Sequence, residues 1–169
     1  MFKRSLTGRI ILKLETAEKV VLGQLFDQMD ELLDTEIEPL SEDPLARLIN
    51  LDGPTEISSD PAVARLFPNG YSSDDHANAD FRRYTEQDLR QEKLDALTSA
   101  RATLEREEMK SALTADQAQA WLWSLNDLRL VLGTRLGVGE DFDEDSDDPG
   151  YHLYSYLTYL QGTLIDCLT

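Results

Sequence analysis

Apolar residues recur at spacings of three and four through most of this chain, the period of helices with one buried face. In "TAEKVVLGQLFDQMDELLD", Val21, Leu22, Leu25, Met29, Leu32 and Leu33 share a face, and the helix opens at Glu15 or Thr16. Glu15 and Glu18 fall in the first turn, where acids suit the helix dipole. Before it, Phe2–Leu14 reads as a β-hairpin, with "LTGR" as the turn and "RIILKL" as a short β-branched strand. Asp60 ahead of Pro61 starts another helix, which Pro68 and Gly70 end. From Asp74 to about Lys110 the chain has no Gly or Pro, and Phe81, Leu89, Ala96, Leu97, Ala100 and Leu104 make a thin apolar stripe.

Thr114 with Gln117 three residues on forms a capping box. It opens a helix containing "WLWSLNDLRLVLGTRLG" that closes at Gly137 and Gly139. At about 100° per residue, Trp121, Leu125, Leu128, Leu132 and Leu136 share one face, with Trp123 and Leu130 nearly opposite. A helix apolar on two sides is the central element of a bundle. In "YHLYSYLTYLQGTLIDCL", Leu153, Leu157, Leu160, Leu164 and Leu168 form a last seam. The expectation is a mostly α fold over residues 1–169 as a single domain. It is an orthogonal or mixed bundle of about four to six helices centred on residues 115–137, with a short N-terminal β-hairpin at 1–14. Residues 35–60 and 139–150 read as loop-rich acidic segments, with a short helix in "DPLARLINLD".

Charge changes the picture more than composition does. The net charge is −17, and it is uneven. The first fourteen residues hold Lys3, Arg4, Arg9 and Lys13 and no acid, whereas residues 138–169 hold eight acids and no base. So negative a chain repels nucleic-acid phosphates at long range, which argues against tight direct DNA or RNA binding and for a route through a protein partner or through the small basic N-terminus. Apolar runs are too short to span a membrane, and the N-terminus lacks the apolar core of a secretory signal. With one cysteine, Cys167, an internal disulfide is excluded, and the expected location is the reducing cytoplasm.

Arg129 and Arg135 stand inside the most hydrophobic segment. Arginine keeps its charge, so when buried it needs carboxylate or carbonyl partners. One arrangement is a buried ion-pair lattice that fixes the bundle. In it Arg129 meets Asp80, Glu86, Asp88 or Glu92, Asp127 meets Arg82, Arg83 or Arg90, Asn126 bridges, and Gly133 allows a close helix crossing. The other is a pocket lined by Arg129 and Arg135 for a small anionic ligand or an enzyme's substrate. No nucleophile or acid–base pair converges with them in sequence, so no catalytic residues are assigned.

The acidic loop Glu140, Asp141, Asp143, Glu144, Asp145, Asp147 and Asp148 is a candidate partner surface. It is not an EF-hand, since the glycine position holds Ser146 and the bidentate glutamate position His152. His76 and His152 have no metal-ligand spacing, and phosphate-loop, dinucleotide and nucleophile-elbow motifs are absent. No cofactor or metal is expected.

Four blocks, "DPAVARLFPNGY", "FRRYTEQDLRQEKLDAL", "AWLWSLNDLRLVLGTRLGV" and "YLTYLQGTLI", in this order resemble the AosR-type family of actinobacterial proteins. "NDLRLVLGTRLG" is the most specific of them. The resemblance covers nearly the whole chain. It implies a non-enzymatic cytoplasmic regulator of transcription under oxidative stress that touches RNA polymerase or a sigma factor. A thiol switch of the kind attributed to this family needs two cysteines, as in CxxxC. Here Thr163 stands four residues before Cys167, so that route is closed to this chain.

Overall fold

The computed structural model describes residues 1–34, 54–139 and 147–169. The expected "DPLARLINLD" helix and Glu140, Asp141, Asp143, Glu144 and Asp145 lie outside the described residues. Among the described residues five helices run in chain order: α1 (Thr16–Asp34), α2 (Pro61–Leu66), α3 (Asp75–Leu104), α4 (Ala115–Leu136) and α5 (Pro149–Leu168). Strands β1 (Phe2–Arg4), β2 (Ile10–Lys13) and β3 (Lys110–Leu113) form an antiparallel sheet in the order β1-β2-β3. The fold is mostly α, with α4 packed against α2, α3 and α5.

The hairpin forms as its sequence expects, with Gly8 at φ 79° in the turn between β1 and β2. β3 was not expected. "KSAL" is too short to show a period, and its strand character comes from pairing Leu113 with Ile10 and Ser111 with Leu12. Ser111 and Leu113 turn inward and are buried.

Caps set the helix ends. Asp60 accepts from the Ala62 amide at 2.9 Å and Asp74 from the Ala77 amide at 2.9 Å. Thr114 and Gln117 make the reciprocal capping box, at 3.2 Å and 3.0 Å, an arrangement that contributes about 1 kcal/mol. Gly137 closes α4 at φ 66°, a conformation that costs glycine least.

The core centres on Trp121, which is fully buried. Its ring meets Phe2 edge-on at 5.5 Å and Phe26 at 5.4 Å. Its Nε1 donates to Thr103 Oγ1 at 2.6 Å, so one side chain joins α4 to β1, α1 and α3. α1 buries Leu22, Phe26, Met29 and Leu33, while Val21 is exposed. α5 buries Leu157, Leu160, Leu164 and Cys167; Leu168, expected in the seam, is exposed because Cys167 takes the inward position one residue earlier. Trp123 is 52% exposed, so the second apolar side expected of α4 is left partly to solvent.

Candidate functional site

The first half of α3 buries charge where the sequence pattern pointed to Phe81 and Leu89, both of which are exposed. Asn78, Arg82, Glu86 and Arg90 repeat every four residues and so line one helix face. Arg82, Glu86 and Arg90 are all about 95% removed from solvent, which makes their partners obligatory. Glu86 accepts from Arg82 Nη1 at 2.7 Å and from Arg90 Nη2 at 2.9 Å. Arg82 also donates to the Phe67 carbonyl at 3.0 Å and to Asn69 Oδ1 at 2.8 Å. Arg90 reaches the Leu33 carbonyl at 2.7 Å, and its guanidinium lies 4.4 Å from the centre of the Phe67 ring. One carboxylate thus holds two arginines that tie the ends of α1 and α2 to α3. Arg83, one residue along, is half-buried and enters no ion pair among the described residues.

Asp127 sits on the α4 face toward α3 and pairs with Lys93, at 2.8 and 3.0 Å, rather than with Arg82, Arg83 or Arg90. Burial pushes its carboxyl above the usual range, against the pull of Lys93 and the Asn126 side chain. Asn126 itself is exposed.

Arg129 faces α5, away from the α3 acids Asp80, Glu86, Asp88 and Glu92. It donates from Nε to Thr158 Oγ1 at 3.0 Å, from Nη1 to Gln161 Oε1, and from Nη2 to Tyr154 Oη at 3.4 Å. Its guanidinium stands 5.3 Å from the Tyr154 ring centre. Gly133 permits this: a Cβ there would lie 3.1 Å from Tyr154 Cε2. Arg135 is exposed and pairs with Asp60 at 2.6 Å, which binds the end of α4 to the cap of α2. The Arg135 hydrogen bond, opposed by partial burial and aided by the Ala62 amide, holds the Asp60 carboxyl below its usual value. The structure therefore sends Arg129 and Arg135 to different neighbours and does not line one pocket with both.

Of the acidic loop, Asp147 is exposed and Asp148 caps α5, accepting from the Gly150 amide at 2.7 Å. Among the described residues no three His, Cys, Asp or Glu side chains are placed to hold a metal ion, and no helix is long and apolar enough to cross a membrane.

A concave feature the sequence did not indicate is a cleft of about 440 Å³ between the start of α1 and the end of α3. Lys19, Val20, Gly23, Asp27, Arg101 and Met109 are among its walls. Asp27 and Arg101 pair with each other, and Lys19 donates to the Glu108 and Arg106 carbonyls, so these three charges serve the junction of α1 with the α3–β3 connection.

The family model described as Domain of unknown function (DUF2017) matches residues 1–168. The chain belongs to the DUF2017 family. Among its relatives, the Oxidative stress regulator AosR of Mycobacterium bovis and that of Mycobacterium tuberculosis are each 29% identical to it. Each alignment runs over 169 residues and takes in 88% of this chain and 77% of the relative. These likenesses support the AosR-type resemblance read from the four sequence blocks. No solved structure matches the chain.

Proposed function

We propose that this DUF2017 protein is a non-enzymatic cytoplasmic regulator that acts in oxidative-stress control of transcription by binding other proteins. The reading is carried by its likeness, along most of its length, to relatives named oxidative stress regulators. The geometry supports it in one respect. Arg129 donates to Thr158, Gln161 and Tyr154 and Arg135 pairs with Asp60, all groups of the same chain. A net charge of −17 favours a route to transcription through a protein of its machinery, such as a sigma factor or RNA polymerase, over direct grip on DNA.

Transcript profiling of the native host after peroxide challenge, with and without the gene, tests the reading. A blunted response that the intact gene restores is the expected result. An unchanged transcript profile would overturn it.

A further inference from the structure

The unexpected strand β3 changes what the basic N-terminus is. It brings Lys110 beside the hairpin, with Lys110 directly opposite Lys13. The Lys13 amide donates to the Met1 carbonyl at 2.9 Å and its carbonyl accepts from the Met1 amine at 2.6 Å, so both groups face β1. Lys13 and Lys110 are therefore a non-hydrogen-bonded pair of the β2–β3 ladder, the kind in which facing side chains lie closest. Like charges so placed destabilise a sheet.

Side chains alternate between the faces of a strand. Phe2, Leu12, Ser111 and Leu113 fill the inner face and are buried. The outer face carries Lys3, Arg9, Lys13 and Lys110, all exposed, around half-buried Ile11 and exposed Ala112. None of the four bases forms an ion pair among the described residues. No acid occurs in Phe2–Lys13 or in Lys110–Leu113. Exposed Glu15, Glu107 and Glu108 flank the strands and form no ion pair with these bases among the described residues, and Glu18 accepts from the Glu15 amide at 2.7 Å and the Tyr156 hydroxyl at 2.7 Å. At the hairpin tip Leu6 is fully exposed.

The described residues hold 23 of the chain's 33 acids, and none of those pairs with these four bases. Their mutual repulsion does nothing for the fold. We infer that the outer face of this sheet docks an acidic segment of a partner protein, with Lys3, Arg9, Lys13 and Lys110 pairing its carboxylates and Ile11 and Leu6 receiving its apolar side chains. The apolar centre favours a protein over nucleic acid, whose backbone offers nothing for it to cover. The inference rests on the proposal that this protein works through protein contacts and names the surface and the partner's chemistry.

The test is fluorescence anisotropy of the full chain with a short fluorescein-labelled peptide of alternating Glu and Leu, titrated across salt concentrations. Two variants change net charge equally: Lys110→Glu on the sheet and Arg65→Glu at an exposed position of α2. The peptide should bind, more weakly as salt rises. Lys110→Glu should weaken binding about tenfold and Arg65→Glu less than about twofold. Lys110→Glu also sets opposite charges face to face with Lys13, so its melting temperature should equal or exceed the parent's. Equal losses in the two variants, no binding at all, or tighter binding of a labelled DNA duplex through Lys110 would each overturn the inference. The two proposals fail separately. Absence of peptide binding removes this face and leaves the regulatory reading standing, whereas an unchanged transcript profile removes the regulatory reading.

Discussion

Arg90 and Leu33 lie 57 residues apart in sequence, yet Arg90 Nη1 donates to the Leu33 carbonyl at 2.7 Å. The same guanidinium holds Glu86, which holds Arg82, which holds the Phe67 carbonyl. Three side chains on one face of α3 therefore close the ends of two other helices. Glu86→Gln keeps the shape and removes the charge shared by two buried arginines. Breaking a buried pair costs about 3–5 kcal/mol, a large part of a typical domain's stability. Urea unfolding should show a loss of that order, against less than about 0.5 kcal/mol for Asp95→Asn at an exposed position of the same helix. Replacing all three with apolar residues, as Arg82→Met, Glu86→Leu and Arg90→Met, should not restore parental stability. The Phe67 and Leu33 carbonyls would each lose a buried donor, at about 1–3 kcal/mol. A Glu86→Gln variant as stable as the parent would show that this ladder does not hold the fold.

Two helical glycines should respond to alanine in opposite directions. Alanine is about 1 kcal/mol better than glycine inside a helix. At Gly23 an added Cβ meets nothing within 4 Å, so Gly23→Ala should raise stability by about that amount. At Gly133 the Cβ would lie 3.1 Å from Tyr154 Cε2, and that ring stands against Arg129. Gly133→Ala should gain the helix preference and lose the Arg129–Tyr154 packing. It should melt below Gly23→Ala, and Arg129→Ala should narrow the difference. Equal melting temperatures for the two alanine variants would mean that α4 and α5 do not need the close approach.

The helices were legible because their signals are local. Asp60 before Pro61, Thr114 with Gln117, and Gly137 after the last apolar turn each act within a few residues, and each appears in the structure as expected. What could not be read depends on partners distant in sequence. "KSAL" is a strand only because Ile10–Lys13 lies beside it. Arg129 lies among apolar residues in sequence, and nothing near it says that its partners come from α5 and not α3. The α3 ladder was readable in principle: Asn78, Arg82, Glu86 and Arg90 at four-residue steps share a face with complementary charge. A search for apolar residues alone passes over that stripe. Lys13 and Lys110 could not be joined on one surface without β3.

Acid should weaken the fold through groups that can be named. Asp60 is held below its usual value chiefly by its hydrogen bond from Arg135. For Glu18, burial pushes upward but is outweighed by the Glu15 amide and the Tyr156 hydroxyl, and the net direction is down. A carboxylate lowered in the fold contributes stability that is full above its unfolded value and is lost as pH falls through its folded one. Asp127 is raised by burial and acts with the opposite sign. The melting temperature should therefore fall as pH drops below about 4, the ordinary carboxylate range. Asp60→Asn should lower it at neutral pH and flatten the acid limb. An acid limb as steep in Asp60→Asn as in the parent would rule out the Asp60–Arg135 pair as a contributor.

Cys167 should be chemically quiet in the folded chain. It lies at the end of α5 with 6% of its surface exposed. Burial pushes its thiol above the usual value, although Arg4 pulls the other way. The thiolate is the reactive form, so both access and ionisation protect the sulfur. Four residues earlier Thr163 uses its hydroxyl to accept the Phe2 amide at 3.2 Å and to donate to the Leu160 carbonyl at 2.9 Å, a link between the hairpin and α5 with no sulfur in it. Iodoacetamide should label the native protein far more slowly than the protein in urea, and mild peroxide should leave its mobility on a non-reducing gel unchanged. Cys167→Ala should cost modest stability through the lost packing and preserve the transcript response to peroxide. Fast native labelling, or a folded Cys167→Ala variant that no longer supports that response, would mean that this single thiol reports oxidant by a route other than an internal disulfide.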